Sequence, residues 1–239
     1  MKRVILFDLG STLWDDYPTE LFQWRLLRRL LEPFGIIVSE EQIDALVPQV
    51  IASYCPSLTR GLAFRLCDGD AAISRQVMDR LAAEMLSKFE DRDAFLKLNP
   101  LFDGVKGMLT GLAKDFRLGV ISQNYAQADK WMEWSGIRHF FGHVTLSSRN
   151  GIFKPDPRLF AGACVSMGVA PSDCVMVGDR LDNDIWPANR LQMTTVRVLA
   201  GPFRCQQPRY ERDVPDFTIE RIADLPAVLA PAAGDSTVQ

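Results

Sequence analysis

What most limits the fold of this chain is a rhythm: short apolar runs, each ending abruptly in polar residues and separated by stretches of helical spacing. The runs lie at residues 3–7, 117–121, 143–146, 174–177 and 194–198. Segments such as VILF, LGVI and VMV are apolar throughout rather than alternating, which suits strands covered on both faces. Between them, Val105, Met108, Leu109 and Leu112, and then Leu159, Phe160, Ala163 and Met167, recur at the period of a helix with one buried stripe. Strand and helix in alternation predict an α/β fold, a Rossmann-like three-layer core around a parallel sheet. One interval departs from the rhythm. Residues 16–100 hold no strand-like run but carry two helical stripes, Leu21, Trp24, Leu27, Leu31, Phe34 and Val77, Leu81, Met85, Phe89. A connection of this length without structure of its own is improbable, so an all-helical insert is expected there. The predicted division is a core of residues 1–15 and 101–230, a helical cap of residues 16–100, and a frayed tail of residues 231–239.

Composition narrows the function more than the fold. Lysine and arginine total 27 against 30 aspartates and glutamates in 239 residues, a net charge of −3. That balance argues against general binding of nucleic acid or of anionic membrane. The five cysteines, Cys55, Cys67, Cys164, Cys174 and Cys205, form no CxxC pair, and only His139 and His143 are present to complete a zinc site. Reduced thiols of a cytoplasmic protein are the expectation. The first apolar run stops at Asp8, too early for a signal peptide and too short to span a bilayer.

In open parallel sheets ligands bind beyond the carboxyl ends of the strands, so the residues that follow each run are the candidates for chemistry. The first strand runs into Asp8-Leu9-Gly10-Ser11-Thr12, the second into Ser122-Gln123-Asn124, and the fourth into Gly178-Asp179-Arg180-Leu181-Asp182-Asn183-Asp184. Converging carboxylates are hard oxygen ligands that suit Mg²⁺, an ion that retains waters and favours phosphate oxygens. Ser122 ahead of a helix N-terminus would offer a hydroxyl and backbone N–H groups to an anion, and Lys154 a point charge. Pro155 should hold Lys154 in the loop, with Asp156 capping the next helix and Pro157 in its first turn.

These residues resemble the motifs of the haloacid dehalogenase superfamily of hydrolases across nearly the whole chain. ILFDLGST is similar to its first motif, GVIS to its second, Lys154 to its third, and GDRLDND to its fourth, and residues 16–100 resemble its helical C1 cap. The resemblance implies a Mg²⁺-dependent phosphohydrolase acting on a small phosphorylated metabolite. Asp8 would attack phosphorus to form an aspartyl-phosphate, which splits one difficult step into two. Asp8, Asp179 and the Gly10 carbonyl would hold the ion, with Asp184, or Asp182 and Asn183, orienting its waters. Lys154 and Ser122 would stabilise the transition state, and Ser11, Thr12 and Gln123 would join them around the phosphate.

The chain departs from the pattern at one position. The second aspartate of the first motif, which serves these phosphatases as general acid and base, is Gly10 here. A slow phosphatase is expected, or one in which Asp15 or Asp16 substitutes. A phosphate-binding regulator without turnover is an alternative, as is a 2-haloacid dehalogenase, although dehalogenases usually lack the Gly178-Asp179 pair. A phosphonatase is a weaker one, since its cap lysine has no counterpart before Lys88. His139, His143, Trp131, Met132 and Trp134 are expected to be structural, and Arg25, Arg28, Arg29, Arg60 and Arg65 are candidate substrate contacts from the cap.

Overall fold

A computed structural model describes residues 4–229. Arg3, expected in the first strand, and the expected tail at residues 231–239 lie outside the described residues. Six parallel strands form one sheet: β1 (Val4–Phe7), β2 (Arg117–Ser122), β3 (Phe141–Leu146), β4 (Cys174–Gly178), β5 (Thr194–Val198) and β6 (Phe217–Ile219). Their order is β3-β2-β1-β4-β5-β6. This is the doubly wound arrangement in which the strand order reverses between β1 and β4, where a crevice opens beyond the strand ends.

Strand β1 is apolar at every position because both of its faces are covered. Val4 and Leu6 pack with Leu159, Phe160, Ala163 and Met193 on one side of the sheet. Ile5 and Phe7 pack with Val105, Leu109, Trp131 and Met132 on the other. Helices therefore flank the sheet as the rhythm of the sequence predicts. The sixth strand is a correction to the expected five. Phe217 and Thr218 are exposed and only Ile219 is buried, so this short edge element carries none of the continuous apolar character that marks the others.

Between β1 and β2, among the described residues, lie α1 (Tyr17–Leu31), α2 (Glu40–Ala52), α3 (Leu58–Leu66), α4 (Ala71–Lys88) and α5 (Arg92–Leu98), followed by α6 (Val105–Leu112). The two predicted stripes fall on α1 and α4: Trp24, Leu27 and Leu31, then Val77, Leu81, Met85 and the adjoining Phe89, are all buried. The chain enters and leaves this layer along paired segments, with Asp15 N donating to Pro100 O at 2.8 Å and Phe102 N to Leu13 O at 3.1 Å. No helix among the described residues is long and apolar enough to cross a membrane.

An aromatic cluster joins the helical layer to the core. Trp14 is 2% exposed, and its Nε1 donates to Ser135 Oγ at 3.0 Å. The ring meets Phe95 of α5 edge-on at 5.3 Å, and Phe95 stacks on Trp131 at 4.9 Å. Trp131 Nε1 in turn donates to Phe89 O at 3.2 Å. The three rings bury large apolar surfaces, and the two tryptophans also satisfy their N–H groups, so the cluster fixes the two layers against each other. Trp14→Ala should lower the free energy of unfolding by about 3–5 kcal/mol, the usual range for emptying such a site. Urea denaturation of the two proteins checks it, and a loss below about 1 kcal/mol would mean that the cluster contributes little.

Candidate active site

Strand register brings the polar residues together. Phe7 pairs with Val120 on β2 and with Val177 on β4. Asp8, Ser122 and Asp179 therefore leave three adjacent strands within a residue or two of the same level, and Asp8 N continues the ladder by donating to Val177 O at 2.9 Å. Carboxylate oxygens of Asp8, Asp179 and Asp184 lie within 4.8 Å of one another. Asp184 is brought inward by a wide turn, Leu181–Ile185, in which the backbone N–H groups of Asp184 and Ile185 both donate to Arg180 O. Its Oδ2 accepts from Arg180 N at 3.1 Å. Gly178 leaves the room: a Cβ there would collide with the Asp184 carboxyl.

Lys154 completes the cluster. It is 4% exposed, and its Nζ donates to Asp184 Oδ1 at 2.6 Å and to Asp8 Oδ1 at 2.9 Å. The local sequence sets it there as expected. Asp156 caps the helix Pro157–Ser166 through the N–H of Arg158 at 2.9 Å, so Lys154 stays in the loop.

Electrostatics follow from crowding. Burial and the neighbouring carboxylates of Asp184 and Asp8 hold Asp179 well above the ordinary aspartate range. Burial also pushes Asp184 up to about 6, against the pull of Lys154. Burial alone would lower Lys154, but the charges of Asp184 and Asp8 outweigh it and raise its ammonium above the usual value. Three acids sharing one small volume with one cation leave surplus negative charge, and a hard divalent cation fits that donor set.

A cavity of about 570 Å³ opens above the cluster, between the strand ends and the helical layer. Of the sequence candidates, Asp8, Gly10, Ser11, Asp16, Ser122, Gln123, Lys154, Asp179 and Asn183 line it. Asp184 lies beneath Lys154 and is fully buried. Thr12 is also fully buried, with a hydroxyl that has no hydrogen-bond partner, and it does not reach the cavity wall. Ser11 spends its hydroxyl on a neighbour, donating to Asp16 Oδ1 at 2.7 Å. The expectation that a helix starts beside Ser122 needs correction. The next helix begins only at Ala128, because Asn124 Oδ1 accepts from Tyr125 N at 2.9 Å and turns the chain first.

The helical layer supplies Glu20, Gln23, Thr59 and Arg60 to the same cavity, and of these the sequence reading held only Arg60. Arg28 and Arg29 pair instead with Glu40 and Glu84, Arg65 reaches Gln49, and Arg25 is exposed. Thr59 Oγ1 lies 2.9 Å from Gln23 Oε1 and 3.5 Å from Glu20 Oε2. Burial, and then the proximity of Asp16, push Glu20 up to about 8. Arg180, an unremarked position inside GDRLDND, spans the two layers. Its guanidinium pairs with Asp182 at 2.6 Å, stacks over Phe203 at 4.1 Å, and donates to Pro56 O at 3.2 Å and Cys55 O at 3.3 Å. Asp182 also accepts from Gln206 Nε2 at 3.1 Å, so it is committed to this brace rather than to the acid cluster.

Comparison with known proteins agrees with this arrangement. Residues 2–191 match the family described as haloacid dehalogenase-like hydrolase. A protein of Methanopyrus kandleri named glyceraldehyde 3-phosphate phosphatase is 32% identical over 98% of this chain and 100% of its own length. A phosphatase of this superfamily from Thermococcus onnurineus superposes with a TM-score of 0.63 at 22% identity, covering 96% of this chain and 98% of that one. A structure titled 2-haloacid dehalogenase, from Pseudomonas syringae pv. Tomato, gives a TM-score of 0.58 at 27% identity over 96% and 98% of the two chains. Motifs, sheet order and family match converge, and the chain belongs to the haloacid dehalogenase-like hydrolases.

Proposed function

We propose that the protein is a Mg²⁺-dependent phosphatase of a small phosphorylated metabolite, working through an aspartyl-phosphate on Asp8. The observation that carries this reading is the acid cluster itself, three carboxylates and a buried lysine brought together beyond the carboxyl ends of the strands. Dehalogenation needs no cation, so it gives no reason to gather Asp179 and Asp184 beside Asp8. Asp8, Asp179, Asp184 and the Gly10 carbonyl would hold Mg²⁺, which when bound supplies charge neutralisation to the phosphoryl oxygens.

The residues of the chain do the rest. Asp8 presents a carboxylate oxygen to phosphorus, and Lys154 fixes its orientation through the bond at 2.9 Å. Lys154 and the Ser122 hydroxyl donate to the oxygens on which charge develops. The helical layer closes over the site and excludes water while the first bond is made. Glu20, neutral near pH 7 because its carboxyl titrates at about 8, can both donate to and accept from a substrate hydroxyl, with Gln23, Thr59 and Arg60 beside it. A hydroxylated carbon skeleton suits this wall. The name of the Methanopyrus kandleri relative makes glyceraldehyde 3-phosphate the first substrate to test.

Asp8→Asn should abolish phosphate release from every substrate while the protein still folds, Lys154 keeping its bond to Asp184, as circular dichroism would show; activity equal to the parent's would sink the covalent scheme. Chelation with EDTA should stop turnover, and added Mg²⁺ should restore it. Glu20 gives a pH test. Its folded-state value of about 8 exceeds the ordinary 4.5, so its contribution to stability is full below about pH 4.5 and is lost as pH rises through 8. Glu20→Gln should therefore raise Tm relative to the parent at about pH 9 and change it little at about pH 5, and an equal shift at both would count against a buried, proton-retaining Glu20.

A further inference from the structure

Expelling an alcohol from phosphorus requires a proton at the departing oxygen, and the first motif, with glycine at position 10, contains no acid to give it. We propose that Asp16 is that acid, and then the base for the hydrolytic water, its carboxyl occupying the space that a side chain at position 10 would fill. This rests on the aspartyl-phosphate reading above. A Cβ built on Gly10 would collide with Asp16 Oδ2, although the backbone there is in an ordinary conformation. The carboxyl thus stands directly over the first motif, reached from six residues further along the chain.

Three independent features aim it there. Asp16 occupies the position before α1 where an aspartate ordinarily caps the helix, yet it makes no capping bond. Asp15 takes that task, accepting from Tyr17 N at 3.2 Å. The Asp16 side chain turns back instead, and its Oδ1 receives Ser11 N at 2.9 Å and Ser11 Oγ at 2.7 Å. Both bonds fall on Oδ1, leaving Oδ2 as the oxygen turned to Gly10. Ser11 holds this pose from a left-handed backbone conformation, φ 49°, and Gly201 makes way for its hydroxyl, since a Cβ at 201 would strike Ser11 Oγ. Ser11 and Gly201 are accordingly positioning residues.

The other acids on the cavity wall stand elsewhere. Asp8 is bonded to Lys154, Asp179 belongs to the acid cluster, Asp79 is exposed on α4, and Glu20 lies in the helical layer beside Thr59, where it faces the carbon skeleton in the reading above. In the first step an Asp8 oxygen bonds to phosphorus, the bond from phosphorus to the ester oxygen breaks, and the Asp16 proton passes to that oxygen to form the alcohol. In the second, water adds to phosphorus and gives one proton to the Asp16 carboxylate. The bond between phosphorus and Asp8 then breaks, with its electron pair returning to the Asp8 carboxylate and phosphate leaving.

The test is the dependence of rate on the leaving group, measured with 4-nitrophenyl, phenyl and 4-methoxyphenyl phosphates and Mg²⁺. Asp16→Asn should lose about 10²–10⁴-fold in kcat/KM with the two poorer leaving groups and less than about tenfold with 4-nitrophenyl phosphate. With that activated ester the variant should release one equivalent of nitrophenolate in a burst and then turn over slowly, because the phosphoenzyme waits for a base. Equal losses across the series, with no burst, overturn the proposal. A relocated carboxyl gives a second reading if Asp16→Asn folds poorly. Gly10→Asp combined with Asp16→Ser should recover phenyl phosphate hydrolysis relative to Asp16→Ser alone, and no recovery counts against the role. A flat leaving-group profile with an inactive Asp8→Asn sinks the role of Asp16 alone, whereas activity that survives Asp8→Asn sinks the covalent reading with it.

Discussion

The buried contact of Lys154 with Asp8 and Asp184 is the interaction on which this molecule turns. Three carboxylates are gathered where the sheet ends, and each would prefer water or a proton to its neighbours. One ammonium, 2% exposed at its side chain, offsets part of that repulsion through bonds of 2.6 and 2.9 Å. A buried charge left without its partner typically costs about 3–5 kcal/mol, so the cluster and the fold around it stand together. The residual negative charge is what makes a hard cation a fitting occupant of this donor set.

The sheet exists to set these groups at one level. Its central strand is apolar on both faces, which leaves β1 only one direction in which to display chemistry, beyond Phe7. The neighbouring strands β2 and β4 end in step with it, so Ser122 and Asp179 need no special loop to reach Asp8. Lys154 and Asp184 do need one, and each has a local device: a capped helix start at Asp156 that spares the lysine, and a wide turn at Leu181–Ile185 that swings the carboxyl inward.

Much of this was legible in the sequence because it depended on short-range pattern. Continuous apolar runs followed by acids, a serine or a lysine announce buried strands and what stands at their ends. The stripe Val77, Leu81, Met85, Phe89 announces α4 in the same way. What escaped had no such local mark. Strand β6 is a three-residue edge with two exposed side chains. Helices α3 and α5 are short, and α2, which buries only Ile43, Val50 and Ile51, carries no full stripe, although Ser39 with Gln42 forms a capping box that could have signalled it. Glu20, Gln23 and Thr59 look like ordinary helix-surface residues until the layer folds over the sheet and encloses them. Asp15 and Asp16 stood equal in the sequence as replacements for the missing acid, and only the three-dimensional structure shows that the side chain of Asp16 leaves the cap for Ser11 and Gly10. Ser122 failed in the opposite direction: the sequence promised a helix start beside it, and Asn124 instead bends the chain away.

Arg180 ties two mechanical tasks to a single guanidinium. The turn that carries Asp182 and Asp184 is propped from outside by this side chain, which also grips the carbonyls of Cys55 and Pro56 at the tip between α2 and α3. Any displacement of that tip away from the sheet would break both carbonyl contacts, while the pair with Asp182 would still hold the guanidinium on the turn. One side chain thus makes the placing of that tip and the shape of the turn beneath it a single mechanical problem.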